Sequence, residues 1–235
     1  QQTRIAYSQV NPSGRFVYTI PLSHPLDDVV RLSALLEDNE FGDIDSEQVE
    51  FGAVREIRGG KWLYSYSVRD LEETWDLKST NFKNDYLLPG FSLARSDRVG
   101  PLVNPSRGFS QFYKVEGAGA DLGSDIDLLR VTANFSYIFS LSPVHRFVAR
   151  TALGAVFLSD DDRIDLAPSL GFFAGGSQSI RGYGYQSIGN EVDTTRDDGS
   201  KQTLVIGGDR LVTATLEYQY YFTEPWRGAV FVDAG

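Results

Sequence analysis

The sequence predicts an all-β fold, a transmembrane antiparallel β-barrel with about eleven strands within these 235 residues. Three observations predict it. Apolar and polar residues alternate over long stretches, which is the two-residue repeat of a strand and not the 3.6-residue repeat of a helix. Many strand candidates run 10 to 15 residues, against a mode of roughly 5–6 in soluble sheets. The connections alternate between short turns and longer polar stretches, as they do in an outer-membrane barrel.

The alternation is clearest in Arg210–Phe222. Val212, Ala214, Leu216, Tyr218, Tyr220 and Phe222 share one face, and Thr213, Thr215, Glu217 and Gln219 share the other. Asp127–Ser140 repeats the pattern, with Leu129, Val131, Ala133, Phe135, Tyr137 and Phe139 opposing Arg130, Thr132, Asn134 and Ser136. So do Trp62, Tyr64, Tyr66 and Val68 against Ser65, Ser67 and Arg69. With turn residues as punctuation, strand candidates fall near 2–10, 14–23, 28–38, 47–57, 61–75, 85–98, 107–119, 126–140, 145–158, 209–223 and 226–235. Short turns are expected at Leu26-Asp27, Arg58-Gly59-Gly60, Ser142-Pro143 and Glu224-Pro225, and longer polar links at Asn39–Ser46, Asp76–Asn84 and Ser159–Gly208. Asn11-Pro12-Ser13-Gly14 departs from the scheme, being short where a long link is due.

A soluble barrel such as a lipocalin alternates too, with its apolar face inside. Here the polar face, rich in Ser, Thr, Asn and Arg, suits a hydrated lumen, and the Tyr- and Phe-rich face suits interfacial girdles. An open sheet would leave two unpaired edges in the bilayer. The chain has neither a secretion signal nor an initiator methionine, and Ala229–Gly235 stops within a strand pattern. A fragment of a larger barrel is therefore expected.

Composition narrows the function. The net charge of −10 argues against a nucleic-acid partner, because phosphate binding needs clustered Lys and Arg. Two histidines and no cysteine leave little for a metal or iron–sulfur site, and no cofactor is expected. Asp160-Asp161-Asp162 lacks the spacing of a calcium loop. The neighbouring acids Glu72-Glu73 and Asp27-Asp28 point to opposite strand faces, which makes them poor glycosidase pairs. Arg146 and Arg150 read as pore-lining charge, and His24 and His145 as polar turn residues. No enzyme is expected.

The segment 159–208 is the exception to the regular pattern, since a structureless loop of about fifty residues is normally functional or disordered. Its centre is Phe173-Ala174-Gly175-Gly176, followed by Ser179-Ile180-Arg181-Gly182-Tyr183. The glycines allow positive φ and close backbone approach around one arginine. A phosphate loop is excluded, for there is no Gly-Lys-Ser/Thr and no following helix. An ordinary flexible surface loop fits the glycine content equally well.

Those two motifs resemble the sixth-loop signature of the superfamily of outer-membrane barrel assembly factors and two-partner secretion transporters. The Ser-Ile-Arg-Gly-Tyr form, with Tyr185 and Ser187-Ile188 after it, is most similar to the outer-membrane subunit of the translocation and assembly module. Leu216-Glu217-Tyr218-Gln219-Tyr220 resembles the family's twelfth strand. Gly228-Ala229-Val230-Phe231-Val232-Asp233-Ala234-Gly235 resembles its thirteenth, with a Phe-x-Asp-x-Gly ending. The confident match covers about 168–235.

The resemblance implies a sixteen-strand barrel, of which 1–235 is a part, lacking two strands before, three after, and the N-terminal periplasmic POTRA domains. It implies that loop six, 159–208, folds into the lumen, where Gly175, Gly176, Ile180, Arg181, Gly182 and Tyr183 form the motif and Arg181 meets Asp233, with Glu217 nearby. It further implies a Gram-negative outer-membrane factor that inserts or exports β-barrel and autotransporter-type proteins. The implied partners are outer-membrane lipid, client outer-membrane proteins and an inner-membrane-anchored subunit that spans the periplasm. A two-partner secretion transporter and a passive pore are the alternatives.

Overall fold

A computed structural model describes residues 2–6, 12–24, 26–77, 80–101, 104–159, 161–163, 165–195, 200–223 and 226–235. Eleven strands form one antiparallel sheet: β1 (Gln2–Ala6), β2 (Ser13–Pro21), β3 (Asp28–Phe41), β4 (Ile44–Gly59), β5 (Trp62–Leu77), β6 (Thr80–Val99), β7 (Arg107–Ala118), β8 (Leu128–Ser140), β9 (His145–Leu158), β12 (Arg210–Thr223) and β13 (Trp226–Ala234). Each pairs with the next in that order, so β9 lies directly against β12. The segment between them carries a separate hairpin of β10 (Asn190–Thr195) and β11 (Lys201–Ile206).

Register assigns the faces. Thr215 pairs with Arg150, and Gln219 with Arg146, on the face that meets the long loop. Leu216 pairs with Ala149, and Tyr218 with Phe147, on the other face. Leu216 is 61 % exposed while the adjacent Thr215 is only 6 % exposed. The polar face is thus the inner one and the apolar face the outer, the reverse of a soluble barrel. From Leu129 to Phe139 the outward residues of β8 cover about 33 Å of strand, or about 25 Å along the membrane normal at a tilt near 40°. That equals the ~25 Å apolar band of outer-membrane barrels.

Two expected links are strand instead. In 39–46 the ladder continues through Asn39↔Ser46 to Phe41↔Ile44, and only Gly42-Asp43 turn. Gly42 has φ +61, a conformation that favours glycine. In 76–84 the β5–β6 ladder continues to Leu77↔Thr80, around residues 78–79 outside the description. A hairpin that projects past the bilayer needs no apolar outer face, so the hydrophobic pattern fades while the backbone pairing goes on. Residues 7–10 of the first expected strand, the turn at 224–225, and Asp160 also lie outside the described residues. The hairpin β10–β11 was not expected, because six-residue strands with a mostly polar face leave little pattern.

These projecting hairpins close over an apolar core at the loop end of the barrel. Ile44, Leu71, Trp75, Tyr86, Leu88 and Val156 come from inner faces of the wall, and Ala167, Leu170 and Phe172 come from the long loop. Phe172 packs against Gly154 of β9, where an added Cβ would stand 2.4 Å from its ring.

Two substitutions test the assignment of faces. Leu216→Arg, on the outer face, should cost about 2–4 kcal/mol in unfolding titrations of the reconstituted barrel. Asn134→Arg, on the inner face, should cost much less; the opposite ranking contradicts the assignment.

Candidate functional site

The site is assembled on two neighbouring strands and one loop tip. In the β12–β13 ladder Thr215 opposes Asp233 and Glu217 opposes Phe231. Period two turns all four inward on adjacent rungs. The loop supplies a cation to this square. Its two arms run side by side, joined by a bridge between Ala174 and Ile188. Gly175 has φ +103, and an added Cβ would stand 2.3 Å from the Gly184 carbonyl oxygen. Gly176 and Gly182 also have positive φ, at +93 and +95. The tip therefore folds only with glycine at these turns.

Arg181 stands at that tip. Its Nε and Nη2 donate to the two oxygens of Asp233, at 2.9 Å each. Its backbone N–H donates to Asp233 Oδ2, also at 2.9 Å. On the opposite side Nη1 donates to Glu217 Oε2 at 2.5 Å. Below, the guanidinium carbon lies 3.3 Å from the centre of the Phe231 ring. The fork of a guanidinium matches a carboxylate bidentately, which an ammonium cannot do. The hydrogen bonds it donates to Asp233, ahead of the one it donates to Glu217, push the Arg181 pKa above its already high ordinary value.

The rest of the expected motif has supporting places. Ile180 approaches Gly235 so closely that an added Cβ there would stand 2.8 Å from Ile180 Cδ1, and 2.9 Å from the Val212 carbonyl oxygen. The Tyr183 carbonyl accepts from the Gly176 N–H at 3.2 Å, while its side chain is exposed and takes no part in the cluster. Glu217 also accepts from Gln219 Nε2 at 2.5 Å, and Gln219 in turn accepts from Arg227 Nη1 at 3.2 Å.

Phe231 stood in the Phe-x-Asp-x-Gly ending, though nothing in the sequence placed it under the guanidinium. Other residues of the site carry no mark that sequence reading would single out. Glu73, buried on β5, accepts from Ser46 Oγ at 2.6 Å, from the Ser169 N–H at 3.1 Å, and from the Ser169 hydroxyl. Arg130 donates to the Leu170 carbonyl at 2.9 Å and lies 4.7 Å from the centre of the Phe172 ring. Arg130 also pairs with buried Glu116, which Arg69 and Lys114 contact as well. At the hairpin, the Val205 N–H donates to Asp43 Oδ2 at 2.8 Å. The signal for Glu73 and Glu116 was an acid on an inward face; Ser46 and Ser169 lie 27 and 96 residues from Glu73, and Arg130 and Arg69 lie 14 and 47 residues from Glu116. Among the described residues the loop is thus attached to the wall along its first arm, at its tip and at its hairpin. Of the two arginines expected to line the pore, Arg150 bonds Gln178 of the loop and Arg146 bonds Asn104 and Tyr221. His145 is no mere turn residue, since it opens β9 with Nδ1 2.6 Å from the Tyr218 hydroxyl.

The chain matches the Omp85 superfamily domain over residues 13–235. The chain belongs to the Omp85 superfamily. A crystal structure of BamA from Haemophilus ducreyi lacking POTRA domains 1-3 superposes with a TM-score of 0.81 at 17% sequence identity. The match covers 95% of this chain and 49% of that one, so the chain spans about half the length of that Omp85 relative. At this identity the likeness concerns the barrel fold.

Arg181→Ala should free the tip. Asp233, whose side chain is 3 % exposed beneath the tip, would lose its cation and open to the hydrated lumen. Limited proteolysis of the reconstituted barrel should then cut within 177–187 much faster than in the parent, with Arg181→Lys intermediate. Equal cutting rates would show that the tip is held by other contacts.

Proposed function

We propose that this Omp85 barrel works in the outer membrane as an assembly or translocation factor for outer-membrane proteins. The observation that carries the reading is the fastening of loop six, through Arg181, to the inward carboxylates of two adjacent strands. Such a loop acts as an internal brace, keeping one wall in register while another part of the barrel yields to an incoming strand. An incoming strand engages by edge pairing, which needs positioned backbone and no covalent chemistry.

Within the superfamily, the Ser-Ile-Arg-Gly-Tyr form favours the outer-membrane subunit of the translocation and assembly module. Its clients would be β-barrel and autotransporter-type proteins, and its partner an inner-membrane-anchored subunit that spans the periplasm. The domain reading goes with it: 1–235 is part of a sixteen-strand barrel, and 159–208 is its inward-folded sixth loop. The passive-pore reading is disfavoured by the apolar core that Leu170 and Phe172 build across the loop end of the lumen.

The test is insertion of a client barrel into proteoliposomes carrying the full-length protein. Arg181→Ala should slow insertion about tenfold, the equivalent of roughly 1.4 kcal/mol, with the barrel itself still folded. Unchanged insertion together with steady, large conductance would favour the passive pore.

A further inference from the structure

At the turn end of the sheet, the outward face carries basic side chains among aromatic rings, and most of them have carboxylate partners. Arg55 donates to both oxygens of Asp28, at 3.1 and 3.0 Å. Lys61 Nζ lies 2.5 Å from Asp97. Arg95 and Arg107 differ. Among the described residues neither has a carboxylate within ion-pairing distance. Arg95 lies between two rings, 5.7 Å from the centre of Trp62 and 4.8 Å from that of Phe109. Its Nε is buried and has no hydrogen-bond partner. Arg107 lies 5.5 Å from the Phe139 ring centre on the neighbouring strand pair.

The register puts these groups in one patch. Trp62 pairs with Arg95, Asp97 with Phe109, and Arg107 with Phe139. Trp62 and Arg107 each open their strands, which places the patch where the apolar band gives way to the short turns. Aromatic residues favour that depth in a bilayer. The other end of the same face is acidic, with Asp70, Glu72 and Asp85 outward and Lys83 2.9 Å from Glu72. A cation resting on aromatic faces keeps its charge and its in-plane donors. The charge of the patch therefore remains available to an anion arriving from the lipid side.

We infer that Arg95 and Arg107, framed by Trp62, Phe109 and Phe139, bind the phosphodiester headgroup of an anionic phospholipid in the leaflet at the turn end of the barrel. The lipid's acyl chains lie along the apolar outward face of β6–β8, and its phosphate meets the two guanidinium groups. The assignment rests on the membrane-barrel reading, and its test separates the two.

The full-length protein, purified in detergent, is titrated with phosphatidylglycerol, phosphatidylcholine or inorganic phosphate, and bound lipid is counted by native mass spectrometry. The parent should retain phosphatidylglycerol in preference to phosphatidylcholine. Arg95→Gln with Arg107→Gln should weaken phosphatidylglycerol binding about fivefold for each arginine removed. Arg95→Lys with Arg107→Lys, which keeps the charge, should hold most of the preference, and Lys83→Gln at the opposite end should leave it intact. Equal phosphatidylglycerol binding by the parent and the double glutamine variant overturns the headgroup site alone. Displacement of phosphatidylglycerol by an equal concentration of inorganic phosphate overturns it in favour of a free-anion site. Retention of neither lipid overturns the headgroup site, whereas full-length protein that stays soluble without detergent and fractionates away from membranes overturns the membrane barrel as well.

Discussion

The arrangement depends on one guanidinium shared between two carboxylates of adjacent strands. Asp233 on β13 and Glu217 on β12 both face inward, in a wall that otherwise presents Thr213, Thr215 and Gln219. Two acids on neighbouring rungs repel each other unless a cation stands between them. Arg181 supplies that cation with geometry to match, since Nε and Nη2 serve one acid and Nη1 the other. The loop tip is therefore also part of what makes this stretch of wall stable.

Attachments along the first arm and at the hairpin give the loop its extent. Ser169 on Glu73 and Leu170 on Arg130 hold the first arm against β5 and β8. The hairpin holds the far arm against the β3–β4 turn through Asp43. Beside the first of these points, Leu170 and Phe172 join the strands' inward side chains in one apolar core. The anchors thus divide the work. The apolar one excludes water at the loop end, and the ionic one fixes the tip deep in a hydrated lumen, where apolar packing would have no partner surface.

Much of this was legible in the sequence because a membrane barrel writes its pattern twice. Leu216 and Thr215 differ in character because one faces lipid and the other the lumen, so alternation in Arg210–Phe222 revealed both the strand and its two faces. Alternation itself is symmetric, so the inner face was read from residue chemistry, Ser, Thr and Asn against Tyr and Phe, and the burial of Thr215 beside exposed Leu216 agrees with it. Where that selection lapses, reading failed. The projecting parts of β3 to β6 meet water on their outer side, so Asn39–Ser46 looked like a loop although its ladder is unbroken. A motif resemblance pointed to Arg181, Asp233 and Glu217, and the structure brings the three into contact. The contact of Glu73 with Ser169, 96 residues away in the chain, was not, because neither residue is distinctive without its neighbour.

The most direct test of the brace is a pair of cysteines at Arg181 and Asp233 in the full-length protein, oxidised in intact outer membranes. The Arg181 backbone N–H itself reaches the Asp233 carboxylate at 2.9 Å, so the main chain of the tip, and not only its long side chain, lies against this strand. This chain contains no cysteine of its own to compete. The account predicts efficient intramolecular crosslinking, seen as a reducible shift in mobility. A folded barrel whose two cysteines stay reduced would contradict it, by showing that the tip of the loop does not rest on this wall.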